Sequence, residues 1–357
     1  MNIKSLLLGS AAALAAVSGA HAADAIVAAE PEPLEYVRIC DAYGAGYFYI
    51  PGSETCLKIG GMVRTEGVWK DAYQTDPDRG TYWHTRAELN VDTATDTEYG
   101  ALKTNMVFRF NSQEGTNDSQ VLFANISLGG FLVGKYDSQY NSWIGYAGNV
   151  INDDVIGDGP YELNQLSYVY DGGNGFTGVI SVEDTNSLPG DTGPNGEDAS
   201  DHYAPDVVAG LGYKTGAFGL KVVGGYDSVV EEGAIKARLD VDFGTFSAFL
   251  LGQYNTDGDK VNRYANGEFG GYDADGNSVT VSSGDWQVWA GTTYKFNDKI
   301  EWNTQVAYDD NKTFEATTNF NFFVAKGFKI QPEVTYVKYD NLDTDVWSGV
   351  LRFQRTF

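Results

Sequence analysis

From residue 57 onward the chain alternates apolar and polar residues with a period of two. Over 81–92, Trp83, Ala87, Leu89 and Val91 share one face, and His84, Arg86, Glu88, Asn90 and Asp92 the other. Successive side chains of a strand point to opposite sides, so this segment reads as a strand with one wet face. Ile235, Ala237, Leu239, Val241 and Phe243 alternate in the same way with Lys236, Arg238, Asp240 and Asp242. The pattern predicts sixteen strands, at roughly 57–69, 81–92, 99–111, 120–129, 130–138, 161–171, 175–184, 205–215, 217–228, 233–243, 245–255, 284–296, 299–310, 313–324, 328–338 and 346–357. These lengths suit the roughly 9–11 residues with which a tilted strand crosses a bilayer, against the roughly 5–6 of soluble sheets.

The connections alternate as well. Gly129-Gly130, Asp171 to Asn174, Gly216, Gly244, Asn297-Asp298 and Ala325-Lys326-Gly327 are short. Between them lie 70–80, 112–119, 139–160, 185–204, 256–283 and 339–345, rich in Asp, Asn, Gly and Ser, with only 229–232 and 311–312 short on that side. Aromatics on the apolar faces sit at strand ends: Trp286 with Tyr294 and Phe296, Trp302 with Tyr308, Phe314 with Phe322, Trp347 with Phe357. Short turns on one side, longer loops on the other and aromatic residues at both interfaces are the marks of an all-β, 16-stranded antiparallel transmembrane β-barrel.

The N-terminus fixes the route of export. Lys4 precedes an apolar, small-residue stretch that ends at Ala20-His21-Ala22, so 1–22 reads as a secretory signal peptide, and it is shorter than a spanning helix requires. Residues 23–56 form an N-terminal segment ahead of the barrel, 57–357. Cys40 and Cys56, the only cysteines, are expected to form a disulfide in an exported protein, with two buried thiols as the alternative. Acids outnumber bases 49 to 24, for a net charge of −25, which argues against nucleic acid as a partner. Disorder is argued against by 23 Tyr, 19 Phe and 7 Trp.

The block Glu35-Tyr36-Val37-Arg38-Ile39-Cys40-Asp41-Ala42-Tyr43-Gly44-Ala45-Gly46-Tyr47-Phe48-Tyr49-Ile50-Pro51-Gly52, then Cys56-Leu57-Lys58-Ile59-Gly60-Gly61, resembles the alphaproteobacterial porin family. Phe131 to Ser138 agrees, and the terminal Phe357 resembles the signal read by the outer-membrane barrel-assembly machinery. The resemblance implies a homotrimer in the bacterial outer membrane, among its lipids and lipopolysaccharide, with the third extracellular loop, 139–160, folded inward as a constriction.

Given that arrangement, Lys58, Arg64, Arg86, Lys103, Arg109 and Lys135 would form a basic wall, and Asp153, Asp154, Asp158 and Glu162 would oppose it from the loop. Facing rows of opposite charge would impose a transverse field on passing solutes. The expected function is a general diffusion porin for small hydrophilic solutes and ions, weakly cation-preferring. The alternative is an oligosaccharide-specific channel, for which Trp289 is the only clearly inward Trp. No catalytic site, cofactor or metal is expected, since His84 and His202 lie in no H-E-x-x-H motif and there is no G-x-S-x-G. Asp273-Ala274-Asp275-Gly276-Asn277 is at most a weak calcium loop.

Overall fold

The computed structural model describes residues 37–71, 80–153, 155–184, 203–260, 262–265, 270–272, 278–280 and 284–357. The expected signal peptide 1–22, Asp154, His202 and the acidic segment 273–277 lie outside them. The chain divides into two units, Met1–Arg38 and Ile39–Phe357, and the barrel belongs to the second.

Sixteen antiparallel strands close on themselves: β1 Cys56–Lys70, β2 Thr81–Thr97, β3 Gly100–Gln113, β4 Thr116–Leu128, β5 Phe131–Asp137, β6 Glu162–Asp171, β7 Phe176–Glu183, β8 Asp206–Thr215, β9 Phe218–Asp227, β10 Glu232–Asp242, β11 Phe246–Asn255, β12 Trp286–Asn297, β13 Ile300–Asp309, β14 Thr313–Ala325, β15 Phe328–Tyr339 and β16 Thr344–Thr356. Each pairs with its neighbours in sequence, and β16 pairs with β1, placing Arg352 opposite Glu66. Closure leaves no spanning strand with an unpaired edge, which the absence of water in a hydrocarbon layer demands.

The burial pattern is inverted relative to a soluble protein. Leu211, Leu220 and Leu250 are 62%, 52% and 50% exposed, while Glu315, Gln305, Asn303 and Thr335 are 1% exposed or less. Such a surface is stable only against lipid. Exposed Tyr99, Phe131, Phe176, Phe218, Phe243 and Phe296 ring the end with the short turns, and Trp69, Trp83, Tyr226, Tyr254 and Trp286 ring the other. Aromatic rings at both interfaces fix the barrel's height in the membrane.

The sixteen expected strands all form, but the expected loop 112–119 does not. Glu114 and Gly115, at φ 50° and 80°, make a tight turn between β3 and β4. Positive φ at both central residues matches the twist of a two-residue hairpin. The Asn, Ser and Asp residues beside it are polar because they extend the wall above the membrane, where both faces are wet. Asn111, for example, donates to Asp118 across the hairpin at 2.8 Å.

Cys40 and Cys56 are joined in a disulfide, Cα atoms 6.1 Å apart, tying the short helical turn Asp41–Tyr43 to the start of β1 at the short-turn end. The Tyr43 hydroxyl donates to Asp96 at 2.7 Å, and that bond pushes the phenol pKa up to about 12.

The seam between β16 and β1 ends at Phe357, whose N–H donates to the Gly61 carbonyl at 3.0 Å and whose carbonyl accepts from Gly61 at 3.1 Å. A Cβ on Gly61 would stand 2.1 Å from the Glu88 carbonyl oxygen and 3.2 Å from the Phe357 ring. Gly61→Val is therefore expected to push β1 away from β2 and to crowd the Phe357 ring at the seam, at a cost of about 1–3 kcal/mol. It should lower the temperature at which the folded form loses its heat-modifiable band on unboiled gels.

Candidate functional site

The third loop, 138–161, leaves β5 and returns to β6 through a narrow neck, where Ser138 N–H donates to the Tyr161 carbonyl at 2.9 Å. It opens with a single helical turn, α1, Gln139–Ser142, capped by the Ser138 hydroxyl. Tyr140, Trp143, Ile144, Ala147 and Ile156 then pack inside the barrel against Val179, Val208, Val223, Leu251, Trp289 and Ala307. Trp143 lies on Gly210, where a Cβ would stand 2.7 Å from its ring. The lumen thus holds a small apolar core, and burial of these side chains draws the loop inward.

Polar contacts fix its course along the wall. Lys221 donates to the Trp143 carbonyl, and Lys236 to Asn141 and the Asp158 carbonyl. Arg238 donates to the Tyr146 carbonyl at 2.5 Å and stacks on Phe249 at 4.3 Å. Trp289 Nε1 donates to the Ile156 carbonyl at 3.0 Å, and Asn149 Nδ2 to Thr293 at 2.9 Å. At the tip, Glu333 accepts from the N–H groups of Ile151 at 2.5 Å and Asn152 at 2.8 Å, and from Asn319 at 2.9 Å. The loop therefore runs along the inner faces of β7 to β15.

On the rest of the wall, β16 and β1 to β3 carry a charged belt. Arg64 and Arg86 are directly opposed in register. Each donates to a neutral amide, Arg64 Nε to Gln354 at 3.0 Å and Arg86 Nε to Asn111 at 2.8 Å. Arg109 instead pairs with Glu88 at 2.7 Å and stands 3.9 Å from Glu162. Glu66 accepts from Arg352 and pairs with His84 at 3.0 Å, whose other ring nitrogen meets Asn111 at 3.2 Å.

Of the expected basic wall, then, Arg64, Arg86 and Arg109 come together. Lys58 and Lys103 lie nearer the short-turn end, Lys58 opposite Asp92 and 5.8 Å from the Tyr47 ring, Lys103 opposite Ala94. Lys135 has to be corrected. It follows Phe131 and Val133 on the outward parity of β5, opposite Ala124 and Asn164, and its ammonium turns back to the Val121 carbonyl at 3.1 Å. A long aliphatic stem allows a lysine on the apolar face to bring its charge to a polar group.

Among the loop acids, Glu162 approaches the wall and Asp153 is half-buried. Asp158 does not face the wall as expected: it is 2% exposed and accepts from Asn141 Nδ2 at 3.0 Å, Ala147 N–H at 3.0 Å and Tyr161 hydroxyl at 3.2 Å. A carboxylate taken out of water must fill its lone pairs, and this one does so within the loop. Nearby, Tyr146 donates to Asp137, and burial together with that carboxylate pushes its phenol pKa upward. Arg352, Lys221, Glu183 and Glu333 were missed, although all follow the inward parity of their strands.

A closed barrel with an apolar skin, a lumen of polar residues and one loop laid across it defines a water-filled diffusion channel of the bacterial outer membrane. The chain belongs to the porins: it matches the Porin subfamily over residues 24–352. It is 44% identical to Porin Omp2b of Brucella suis over 391 aligned positions, which cover all of both chains. Among solved structures, the outer membrane channel DcaP of Acinetobacter baumannii superposes with a TM-score of 0.66 at 15% identity, covering 87% of this chain and 99% of that one. The anion-selective porin from Comamonas acidovorans follows at 0.58 and 12%, covering 85% and 100%.

Proposed function

We propose that this general porin passes small hydrophilic solutes and ions passively, with a weak preference for cations, as a homotrimer and with no covalent step. The observation that carries this reading is the division of the lumen. The loop occupies the side of β7 to β15, and solutes pass beside the belt of β16 and β1 to β3. Within that belt Arg109 and Arg352 bond to Glu88 and Glu66, while Arg64 and Arg86 bond to the neutral amides of Gln354 and Asn111 and share those two carboxylates only at longer range. Against Arg64 and Arg86 stands the chain's overall charge of −25, which enriches cations at the mouths.

Trp289 supports the general channel over the oligosaccharide-specific one, because its indole is buried under the loop and bonded to Ile156 rather than lining a path for sugar rings. The trimer is supported by hydroxyls on the outward face of β1 to β3. Thr65 meets Thr85 at 3.3 Å and Thr93 meets Thr104 at 2.6 Å, in positions better suited to a protein neighbour than to lipid tails.

Planar-bilayer recording of detergent-extracted protein is the test. Ohmic steps inserting in threes, with a small cation-selective zero-current potential in a KCl gradient, are expected. An anion-selective potential would refute the selectivity, and block by one particular sugar would favour the specific channel.

A further inference from the structure

A second loop, the sixth extracellular one between β11 and β12, also reaches the interior. Residues 262–265 of that loop enter the barrel and are buried. Their backbone is fixed there, with Arg263 N–H donating to Asp227 at 2.9 Å and both Tyr264 N–H and Ala265 N–H to Asn262 at 2.9 Å. The Arg263 guanidinium donates to the Asp184 carbonyl at 2.7 Å and lies 4.0 Å from Asp206.

Tyr264 stands between the wall and the root of the third loop. Its hydroxyl donates to Glu183 at 2.9 Å. The same Glu183 carboxylate accepts from the Ser138 hydroxyl at 2.7 Å and the Gln139 N–H at 3.0 Å, the first groups of the third loop. The Tyr264 ring meets Tyr140 of α1 edge-on at 5.2 Å, and the Lys236 ammonium, which also holds Asn141 and the Asp158 carbonyl, lies 4.4 Å from the Tyr140 ring. Behind Tyr264 the wall is Gly225, where a Cβ would stand 2.5 Å from the ring. One continuous chain of contacts thus joins the sixth loop to the third loop's helix and to its buried Lys236 and Asp158 anchor.

We propose that residues 262–265 are a positioning element of the pore. Tyr264 wedges α1 in place, so the bore is set by this element together with the third loop, and undocking residues 262–265 lets the third loop shift and widens the channel. The proposal rests on the diffusion-channel reading above. It concerns neither Arg64 nor Arg86, and its readout is the size of what passes rather than its charge.

The test compares wild type with Tyr264→Ala, Tyr264→Phe and Gly225→Val, by single-channel conductance in KCl and by swelling of liposomes in sugars of graded size. Gly225→Val fills the space of the ring without altering either loop. Ohmic conductance follows the open cross-section of a water-filled pore, so Tyr264→Ala and Gly225→Val should each raise it by about 1.3-fold or more and admit sugars that wild type excludes. Tyr264→Phe keeps the ring and loses only the bond to Glu183, and should fall between. Where a larger change blocks assembly, Tyr264→Phe and Gly225→Ala carry the same comparison. Native conductance and native cutoff in folded Tyr264→Ala and Gly225→Val would overturn the proposal. A wild type that passes no current would instead overturn the channel reading on which it rests.

Discussion

The double variant Arg64→Gln/Arg86→Gln is expected to move the zero-current potential in a KCl gradient strongly toward the potassium limit while leaving the barrel folded. Both arginines donate to neutral amides, Gln354 and Asn111, so their loss strands no buried carboxylate. Glutamine keeps most of the stem that packs along the wall. A unit charge about 4 Å from a passing ion contributes about 1 kcal/mol in water, or about fivefold in relative permeability for each arginine removed. Raising the KCl concentration should shrink the difference, because exposed charges are screened within about 10 Å at 0.1 M salt. Arg109→Gln gives a contrasting case, since it leaves Glu88 without its partner and should carry a penalty in heat stability as well. An unchanged potential in the double variant would show that the mouths, and not this belt, set the selectivity.

Glu333→Ala is expected to release the tip of the third loop. Two backbone N–H groups, of Ile151 and Asn152, and the Asn319 amide converge on this one carboxylate. Hydrogen bonds to a charged group are worth about 1.5–3 kcal/mol each, so the tip would lose its main anchor even though Asn319 still reaches the Asn149 carbonyl at 3.0 Å. The expected record is open-channel noise and closure at lower voltage, with the folded barrel's gel behaviour retained. Glu333→Gln should be milder, since its amide oxygen can still accept from one of the two N–H groups. A quiet, wild-type trace from Glu333→Ala would mean that the apolar packing of Trp143, Ile144 and Ile156, with the bonds from Lys221, Lys236, Arg238 and Trp289, holds the loop without this carboxylate.

The barrel could be read from the sequence because its physics is local. Lipid on one side and water on the other force a period of two, and bilayer thickness forces strand length, so each strand announces itself independently of the rest. The misreading at 112–119 follows from the same logic: once a hairpin rises above the membrane, both faces are wet and the alternation that marks a strand disappears. Arg64, Arg86 and Arg109 were legible as inward residues of adjacent strands. Arg352 shares their parity but joins the belt only through closure of β16 onto β1, a contact between residues 286 apart that no local pattern encodes. The orientation of Asp158 and the docking of Tyr264 depend on where a loop comes to rest after folding, and a run of aspartates looks the same whether it faces the pore or fills its own hydrogen bonds.

The separation of the lumen into a supporting half and a filtering half also bears on how such a channel can change. The residues that hold the third loop, from Lys221 to Glu333, bond to the loop rather than to Arg64, Arg86 or Arg352, and the charge of Arg352 reaches Glu333 only through space. Substitutions in the belt can therefore alter which ions cross without loosening the loop, and substitutions beneath the loop can alter the size limit without touching the charge filter. For anyone redesigning the pore, charge selectivity and molecular sieving are two dials that can be turned one at a time, each on its own arc of the same ring.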